Sequence, residues 1–254
     1  MPGTGPSIPE TVHAPHAPLT DYYGAEAERR GFVNGIFDDT AIDYDRIERL
    51  MALGTGPWYR RHAHVRAGLT SGMEVLDVAV GTGLVAREAA AVVGDARKVV
   101  GVDPSIGMLR AASRPQGIVA VQGTAERLPF ATDRFDFLSL GFALRHMSDL
   151  EIVLQEFHRV LRPGGILCVL EITRPRSAVA RRALKAYMRV VIPLLARLVG
   201  KRRDTPLLFR YFWDTIEACV APEAVLEALR HAGFAEVKRT VEAGIFSEYT
   251  GRKP

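Results

Sequence analysis

Val75-Leu76-Asp77-Val78-Ala79-Val80-Gly81-Thr82-Gly83 is a short apolar run that stops on two glycines. Residues 84–93 then continue with helical spacing. A buried strand that turns on glycine into a helix opens an α/β unit, and the glycines let a ligand approach the backbone at the helix N-terminus. The stretch alone does not identify the ligand, because dinucleotide enzymes share it. Working outward, residues 99–103 predict a second buried strand ending at Asp103, twenty residues after Gly83. Residues 105–112 predict a helix, 118–122 a third strand and 135–140 a fourth. Residues 150–161 predict an amphipathic helix stopped by Pro163-Gly164-Gly165, and 166–171 a fifth strand. Residues 223–232 read as a helix closed by Gly233, with 234–241 and 245–250 as a terminal strand pair. Strands alternating with helices predict an α/β fold with a doubly wound, mostly parallel, seven-stranded sheet, its ligand at the carboxyl edge near the strand-order switch.

The rest of the chain frames this core. The 254 residues suit one large domain with additions. A 48% hydrophobic share excludes a wholly disordered chain. No apolar run reaches the roughly 18 residues of a membrane helix. Cys168 and Cys219 cannot build a disulfide framework, and no charged segment precedes an apolar one at the N-terminus, so a cytoplasmic protein is expected. Residues 1–20, with five prolines, read as a disordered tail in which His13 and His16 are solvated. Residues 21–70 read as a helical cap broken at 54–57, and 71–254 as the main domain with a helical lid inserted at 174–218. Net charge is only +4, yet residues 172–203 hold ten basic side chains and no Asp or Glu. No His/Cys/Asp/Glu cluster has metal-ligand spacing, so no metal is expected.

Two further motifs separate the ligand types. Thr124-Ala125-Glu126-Arg127-Leu128-Pro129-Phe130 with Phe135-Asp136 follows the third strand, and Arg159-Val160-Leu161-Arg162-Pro163-Gly164-Gly165 precedes the fifth. With the glycine turn and Asp103, in this order, the chain resembles a class I S-adenosylmethionine-dependent methyltransferase, a Rossmann-like fold. Phe37-Asp38-Asp39-Thr40-Ala41-Ile42-Asp43-Tyr44-Asp45, Gly141-Phe142-Ala143-Leu144-Arg145-His146, Leu170-Glu171-Ile172-Thr173-Arg174-Pro175 and Ala243-Gly244-Ile245 narrow this. Together they resemble the ubiquinone/menaquinone C-methyltransferase family, the UbiE/MenG type, from about Phe37 to Lys253.

The resemblance implies S-adenosylmethionine as cofactor and S-adenosylhomocysteine as product. It puts Asp77, Ala79, Gly81, Thr82 and Gly83 in the cofactor turn, with Thr82 by the amino-acid end. Asp103 with Pro104 would meet the ribose, and Thr124 with Ala125 the adenine. Gly141 would floor the methyl group, Tyr44 would close over the cofactor, and Arg145 would face the substrate and hold a quinol oxygen. It also implies homodimerisation. The departures lie near the substrate. Leu84 stands where the family has an acidic residue proposed as base, Thr124 where it has Asp or Asn, Ala143 where it has Gly, His146 where it has Asn, and Tyr249 where it has His.

Carbon methylation of an aromatic ring needs a neighbouring hydroxyl deprotonated, hence a base. With Leu84 apolar, His146 is the remaining candidate, and Arg145 beside it would stabilise a phenolate. Both also have plain structural readings, as a helix-start residue and a salt-bridge partner. The basic segment reads either as a solvated cationic helix or, over 174–203, as a peripheral contact with an anionic membrane that delivers a lipid-tailed substrate. Tyr187, Phe209, Tyr211, Phe212 and Trp213 would line a pocket beneath it or form ordinary core. A nucleic-acid site is not expected. Three functions compete: methylation of a quinol-like aromatic, at carbon in quinone biosynthesis; O- or N-methylation of a specialised metabolite or transfer of a non-methyl group to a quinone; and a cofactor-binding partner without catalysis.

Overall fold

The computed structural model of the protein describes residues 14–112, 115–199 and 205–254. Among them, seven strands form one sheet: β1 (Val75–Val78), β2 (Val99–Asp103), β3 (Val119–Gln122), β4 (Phe135–Gly141), β5 (Leu161–Ile172), β6 (Ala235–Glu242) and β7 (Phe246–Arg252). The spatial order is β3-β2-β1-β4-β5-β7-β6. The first five run parallel, and β7 lies antiparallel between β5 and β6. The doubly wound, mostly parallel sheet is as the strand–helix alternation predicts. Strand order reverses between β1 and β4, so the loops leaving their carboxyl ends diverge and open a crevice.

Helices cover both faces, which is why β1 is buried throughout and reads as an uninterrupted apolar run apart from Asp77. One face carries α5 (Leu150–Val160) and α9 (Pro222–His231). Leu150, Val153, Leu154, Phe157 and Val160 recur at helical spacing on α5 and are all buried. Asp149 caps that helix, its carboxylate accepting from the Glu151 and Ile152 N–H groups at 2.9 and 3.1 Å. The other face carries α2 (Gly56–Ala67) and α3 (Leu84–Val93), packed over Val75, Val99, Phe137 and Cys168. The short α4 (Ile106–Ala111) follows β2.

One boundary differs from expectation. Residues 163–165 do not merely stop α5; they form an irregular start to β5. Phe135 pairs with Leu161 and Phe137 with Ile166, so residues 162–165 bulge inside the strand. A Pro-Gly-Gly sequence suits a bulge as well as a turn.

A third core lies above the carboxyl edge. There α1 (Glu26–Met51) packs with α6 (Ala178–Ala186), α7 (Ile192–Val199) and α8 (Thr205–Ala218) around Ile36, Ile47, Met188, Ile192, Phe209, Tyr211 and Trp213. A π-helical turn, Tyr187–Val191, joins α6 to α7, and the Tyr187 hydroxyl donates to the Met51 carbonyl at 2.9 Å. The aromatics expected to line a pocket beneath the basic segment are mostly core here. Residues 14–20 also depart from the disordered-tail reading. His16 is 3% exposed, and the Pro15 carbonyl accepts from the Val220 N–H at 2.7 Å. His16 finds a partner, Arg29, that composition cannot reveal. The rest of the tail with His13, and Lys201, Arg202 and Arg203 of the basic run, lie outside the described residues.

Candidate active site

The crevice between β1 and β4 deepens into a cavity of about 510 Å³, roofed by α1. Two of its wall residues, Ala79 after β1 and Phe142 after β4, hold left-handed backbone at φ 53° and 59°. Non-glycine residues in that region store strain and cluster where function needs a shaped backbone. Gly141 is required for closeness instead: a Cβ there would meet Val85 Cγ2 at 2.4 Å.

The roof is tied down by polar contacts. Asp38 on α1 accepts from the Ser105 hydroxyl at 2.5 Å and the Gly107 N–H at 2.7 Å. A Cβ on Gly107 would stand 2.7 Å from Asp38 Cα, so glycine lets α1 lie this close. Two turns further along, the Thr82 hydroxyl donates to Asp45. Tyr44 beside it lines the cavity, and burial pushes its phenol up to about 12, so it stays neutral.

At one end stands Asp103, at the carboxyl end of β2. Its Oδ2 accepts from the Gly81 N–H and its Oδ1 from the Ser105 N–H, both at 2.8 Å. Each oxygen retains a lone pair, so the carboxylate can accept from two vicinal hydroxyls. Burial raises its pKa to about 6, and the two N–H donors oppose the rise. Val102, Pro104, Met108 and Ala125 give apolar walls beside it, with Thr124 and Glu126 at the margin. A diol acceptor, a slot for a flat base and a strained glycine turn fit the nucleoside of S-adenosylmethionine.

Most residues expected to bind cofactor converge on this cavity: Tyr44, Ala79, Gly81, Thr82, Asp103, Pro104, Thr124, Ala125 and Gly141 line it. Asp77 and Gly83 are not on its wall. Asp77 is buried behind the strand and accepts from the Ser139 hydroxyl at 2.6 Å; burial raises it to about 7, the hydrogen bond opposing. The N–H of Gly83 closes the turn on the Val80 carbonyl at 2.8 Å.

At the other end, His146 is on the wall and Arg145 is not. Arg145, expected to face the substrate, turns inward. Its Nη1 pairs with Glu171, and its Nε donates to the Thr215 hydroxyl at 3.1 Å. The 3₁₀ turn Leu144–His146 forces adjacent side chains in different directions, which a linear motif does not show. His146 packs against Phe37 edge-on at 5.4 Å, Tyr211 stacked at 5.5 Å and Phe212 at 5.8 Å. Neither ring nitrogen has a hydrogen-bond partner among the described residues. Burial, reinforced by the Arg145 charge, holds its pKa well below the usual 6.5, so the imidazole is neutral. Tyr211 and Phe212 thus buttress His146 from behind; with Tyr187, Phe209 and Trp213 they do not line the cavity.

Leu84, in the place of the family's acid, is on the wall. So are Glu26, Arg29, Phe37, Arg60 and Phe142, to which sequence reading gave no role. The arginines carry no local signal: Arg60 sits in a run, Trp58-Tyr59-Arg60-Arg61, whose inward member only packing selects.

The topology, the switch-point cavity and its diol acceptor define a class I S-adenosylmethionine-dependent methyltransferase. Among solved structures, the chain is similar to a Thermotoga maritima S-adenosylmethionine-dependent methyltransferase described as a possible histamine N-methyltransferase (TM-score 0.61, 23% identity, covering 87% of this chain and 99% of that one). It is also similar to Haemonchus contortus phosphoethanolamine N-methyltransferase 2, solved with phosphomonomethylethanolamine and S-adenosylhomocysteine (TM-score 0.59, 16% identity, covering 90% and 59%). At these identities the likeness concerns the fold. In sequence, it is 33% identical to the ubiquinone/menaquinone biosynthesis C-methyltransferase UbiE of Coxiella burnetii over 229 residues, 87% of this chain and 90% of the relative. It is 33% identical to the Shewanella oneidensis UbiE over 241 residues, 91% and 95%. The model of the ubiE/COQ5 methyltransferase family matches residues 24–253, and the chain belongs to that family.

Proposed function

We propose that the protein methylates a ring carbon of a quinol-like aromatic in quinone biosynthesis. The observation that carries this is His146: a neutral imidazole on the cavity wall, set among aromatic rings, with both nitrogens unpartnered among the described residues. A buried polar group without a partner is costly, and a ligand hydroxyl would satisfy it. A flat ring bearing an oxygen matches both the aromatic setting and the orphan nitrogens.

Asp103 would hold the ribose, Thr124 and Ala125 would flank the adenine, Thr82 and Tyr44 would cover the amino-acid side, and Gly141 would leave room at the floor. Bound S-adenosylmethionine supplies a methyl group on a sulfonium, open to in-line displacement. The contribution of the protein is alignment and proton handling. His146 would take the quinol O–H proton, which enriches the adjacent ring carbon for attack on the methyl group; the methylated ring would then lose its C–H proton to water and regain aromaticity as a phenolate, to which the imidazolium returns the first proton. The cage that keeps His146 neutral also makes it a weak base. Proton uptake is therefore favoured only when the phenolate forms beside it and offsets the imidazolium charge. Arg145, buried with Glu171, would support the turn that carries His146.

A second reading keeps the cofactor and changes the acceptor or the transferred group. Leu84 supports it, since an apolar wall replaces the family's acid. Outside the cavity, Arg176, Arg181, Arg182, Arg189 and Arg197 are exposed on α6–α7 and before it, with Val179, Val190 and Leu194 exposed among them. Such a mixed cationic and apolar face suits an anionic membrane surface, from which a lipid-tailed acceptor would enter. No helix among the described residues is long and apolar enough to cross a membrane.

Mass spectrometry of lipid quinones, in a host lacking its own quinone C-methyltransferase, tests the main reading. Restored methylated quinone supports it. Failure to restore, with cofactor binding confirmed by calorimetry, moves the protein to the second reading.

A further inference from the structure

Arg145 is withdrawn from the acceptor end, yet another guanidinium stands on the cavity wall there. Arg29 lies in the first turn of α1 and is 2% exposed. Arg29, Val33 and Phe37 follow one another at intervals of four residues on one helix face, and all three line the cavity. Arg29 Nη2 donates to the Arg145 carbonyl and to His16 Nε2, both at 3.1 Å. His16 Nδ1 donates to the Ala17 carbonyl at 2.7 Å, which leaves Nε2 as the acceptor. Arg29 Nη1 donates to Glu26 at 3.0 Å. These contacts fix the guanidinium but do not use Nε, which is buried and has no hydrogen-bond partner among the described residues.

The contact with the Arg145 carbonyl sets the guanidinium one peptide unit from His146. His146 feels the charge: after burial, Arg145 and His16, Arg29 also lowers the imidazole pKa. Arg29 Nε joins both His146 nitrogens and the hydroxyl of Tyr211, stacked on His146, as buried polar atoms without a partner among the described residues. Opposing charge nearby is light. The Glu26 side chain is 46% exposed, so water screens its carboxylate, and Glu171 is taken up by Arg145.

On the quinol reading of the acceptor, we propose that Arg29 is a catalytic residue: it donates Nε–H to the acceptor's ring oxygen and holds it as a phenolate, the role the sequence suggests for Arg145. His146 takes the hydroxyl proton, the bonding pair stays on oxygen, and the guanidinium meets the new charge while keeping its own protons. A neutral hydroxyl gains less from the same contact, so the stabilisation grows as the charge develops. His16 and the Arg145 carbonyl hold the donor in place beforehand.

Two measurements on the full chain test this. The first binds para-nitrophenol, whose phenolate is coloured, to the S-adenosylhomocysteine complex and titrates it by absorbance. The bound phenol is expected to ionise at lower pH than the free one, and Arg29→Met to cut its phenolate population by about 10- to 1000-fold at a fixed pH. A purely structural Arg29 would not move this titration. The second is turnover of a quinol, where Arg29→Met is expected to lower kcat about 100-fold with S-adenosylhomocysteine affinity unchanged. A phenol that does not bind the wild-type complex, or ionises there no lower than in water, overturns the proposal without any variant. So does an Arg29→Met protein with the wild-type titration or the wild-type kcat; Arg29→Gln takes its place if Arg29→Met does not fold. Wild-type protein that methylates no quinol overturns the quinol reading instead. The phenol titration then decides alone: a shifted one keeps Arg29 as the donor to another phenolic acceptor, and an unshifted one removes it.

Discussion

Arg145 and Glu171 form an ion pair with both side chains 2% exposed, set behind the cavity wall and not in it. The pair links the turn after β4 to the end of β5. Phe142 contributes its carbonyl, 2.8 Å from Arg145 Nη1, and the Phe212 ring lies 5.0 Å from the guanidinium. Removing one member leaves the other charged and buried. Arg145→Ala is therefore expected to lose about 3–5 kcal/mol of stability by denaturant unfolding. A role confined to substrate contact would instead leave stability unchanged and lower only turnover.

His146 makes the opposite prediction. Its ring nitrogens lack partners among the described residues, so His146→Phe sacrifices no protein hydrogen bond and keeps the aromatic packing. Stability is expected to hold within about 1 kcal/mol. S-adenosylhomocysteine affinity is expected to be unchanged, while methyl transfer falls about 100-fold or more, as for loss of a positioned base. Unchanged turnover would remove His146 from the chemistry.

His64 on α2 governs a pH effect. It is buried against the Phe137 ring, and burial lowers its pKa from 6.5 to about 4. Between those values the unfolded chain binds a proton that the folded chain refuses. Stability therefore falls as pH drops from 6.5 toward 4, by roughly 3 kcal/mol for this residue alone. His64→Leu is expected to flatten that part of the stability–pH profile; an unaltered slope would show that other groups dominate.

Gly107 tests the roof. Its absent side chain lets Asp38 approach, so Gly107→Ala should push α1 outward against a backbone atom. A loss of about 1–3 kcal/mol is expected, together with weaker S-adenosylhomocysteine binding, because α1 also carries Tyr44 and Asp45. Calorimetry and thermal unfolding on the same preparation check both.

The basic helices predict binding to vesicles containing anionic lipid and weak binding to neutral ones. Arg181→Glu with Arg182→Glu should cut that binding more than tenfold at low salt, near 1 kcal/mol per basic residue lost plus the added repulsion. Equal sedimentation of wild-type and variant protein would leave the segment a solvated face.

The sheet was legible in sequence because buried parallel strands read as apolar runs and because the glycine turn and Asp103 are fixed in spacing by one βαβ unit. Local rules sufficed there: the ends of β1 and β2 must meet at one edge, so Ala79, Gly81, Thr82 and Asp103 had to share a cavity. The family's motifs likewise located Tyr44, Thr124 and Gly141. Tertiary structure alone decided which charges face inward. Arg145 and His146 are neighbours in sequence, yet a 3₁₀ turn sends one to Glu171 and the other to the cavity. Arg60 and Arg61 are equally adjacent, and only the packing of α2 beneath α1 gives Arg60 to Glu48 and Arg61 to Glu88. His16 reads as tail in the sequence, and only the fold sets Arg29 beside it. The physical reason is common to all three. The free energy of a buried charge depends on partners distant in sequence, and no local periodicity encodes where those partners arrive.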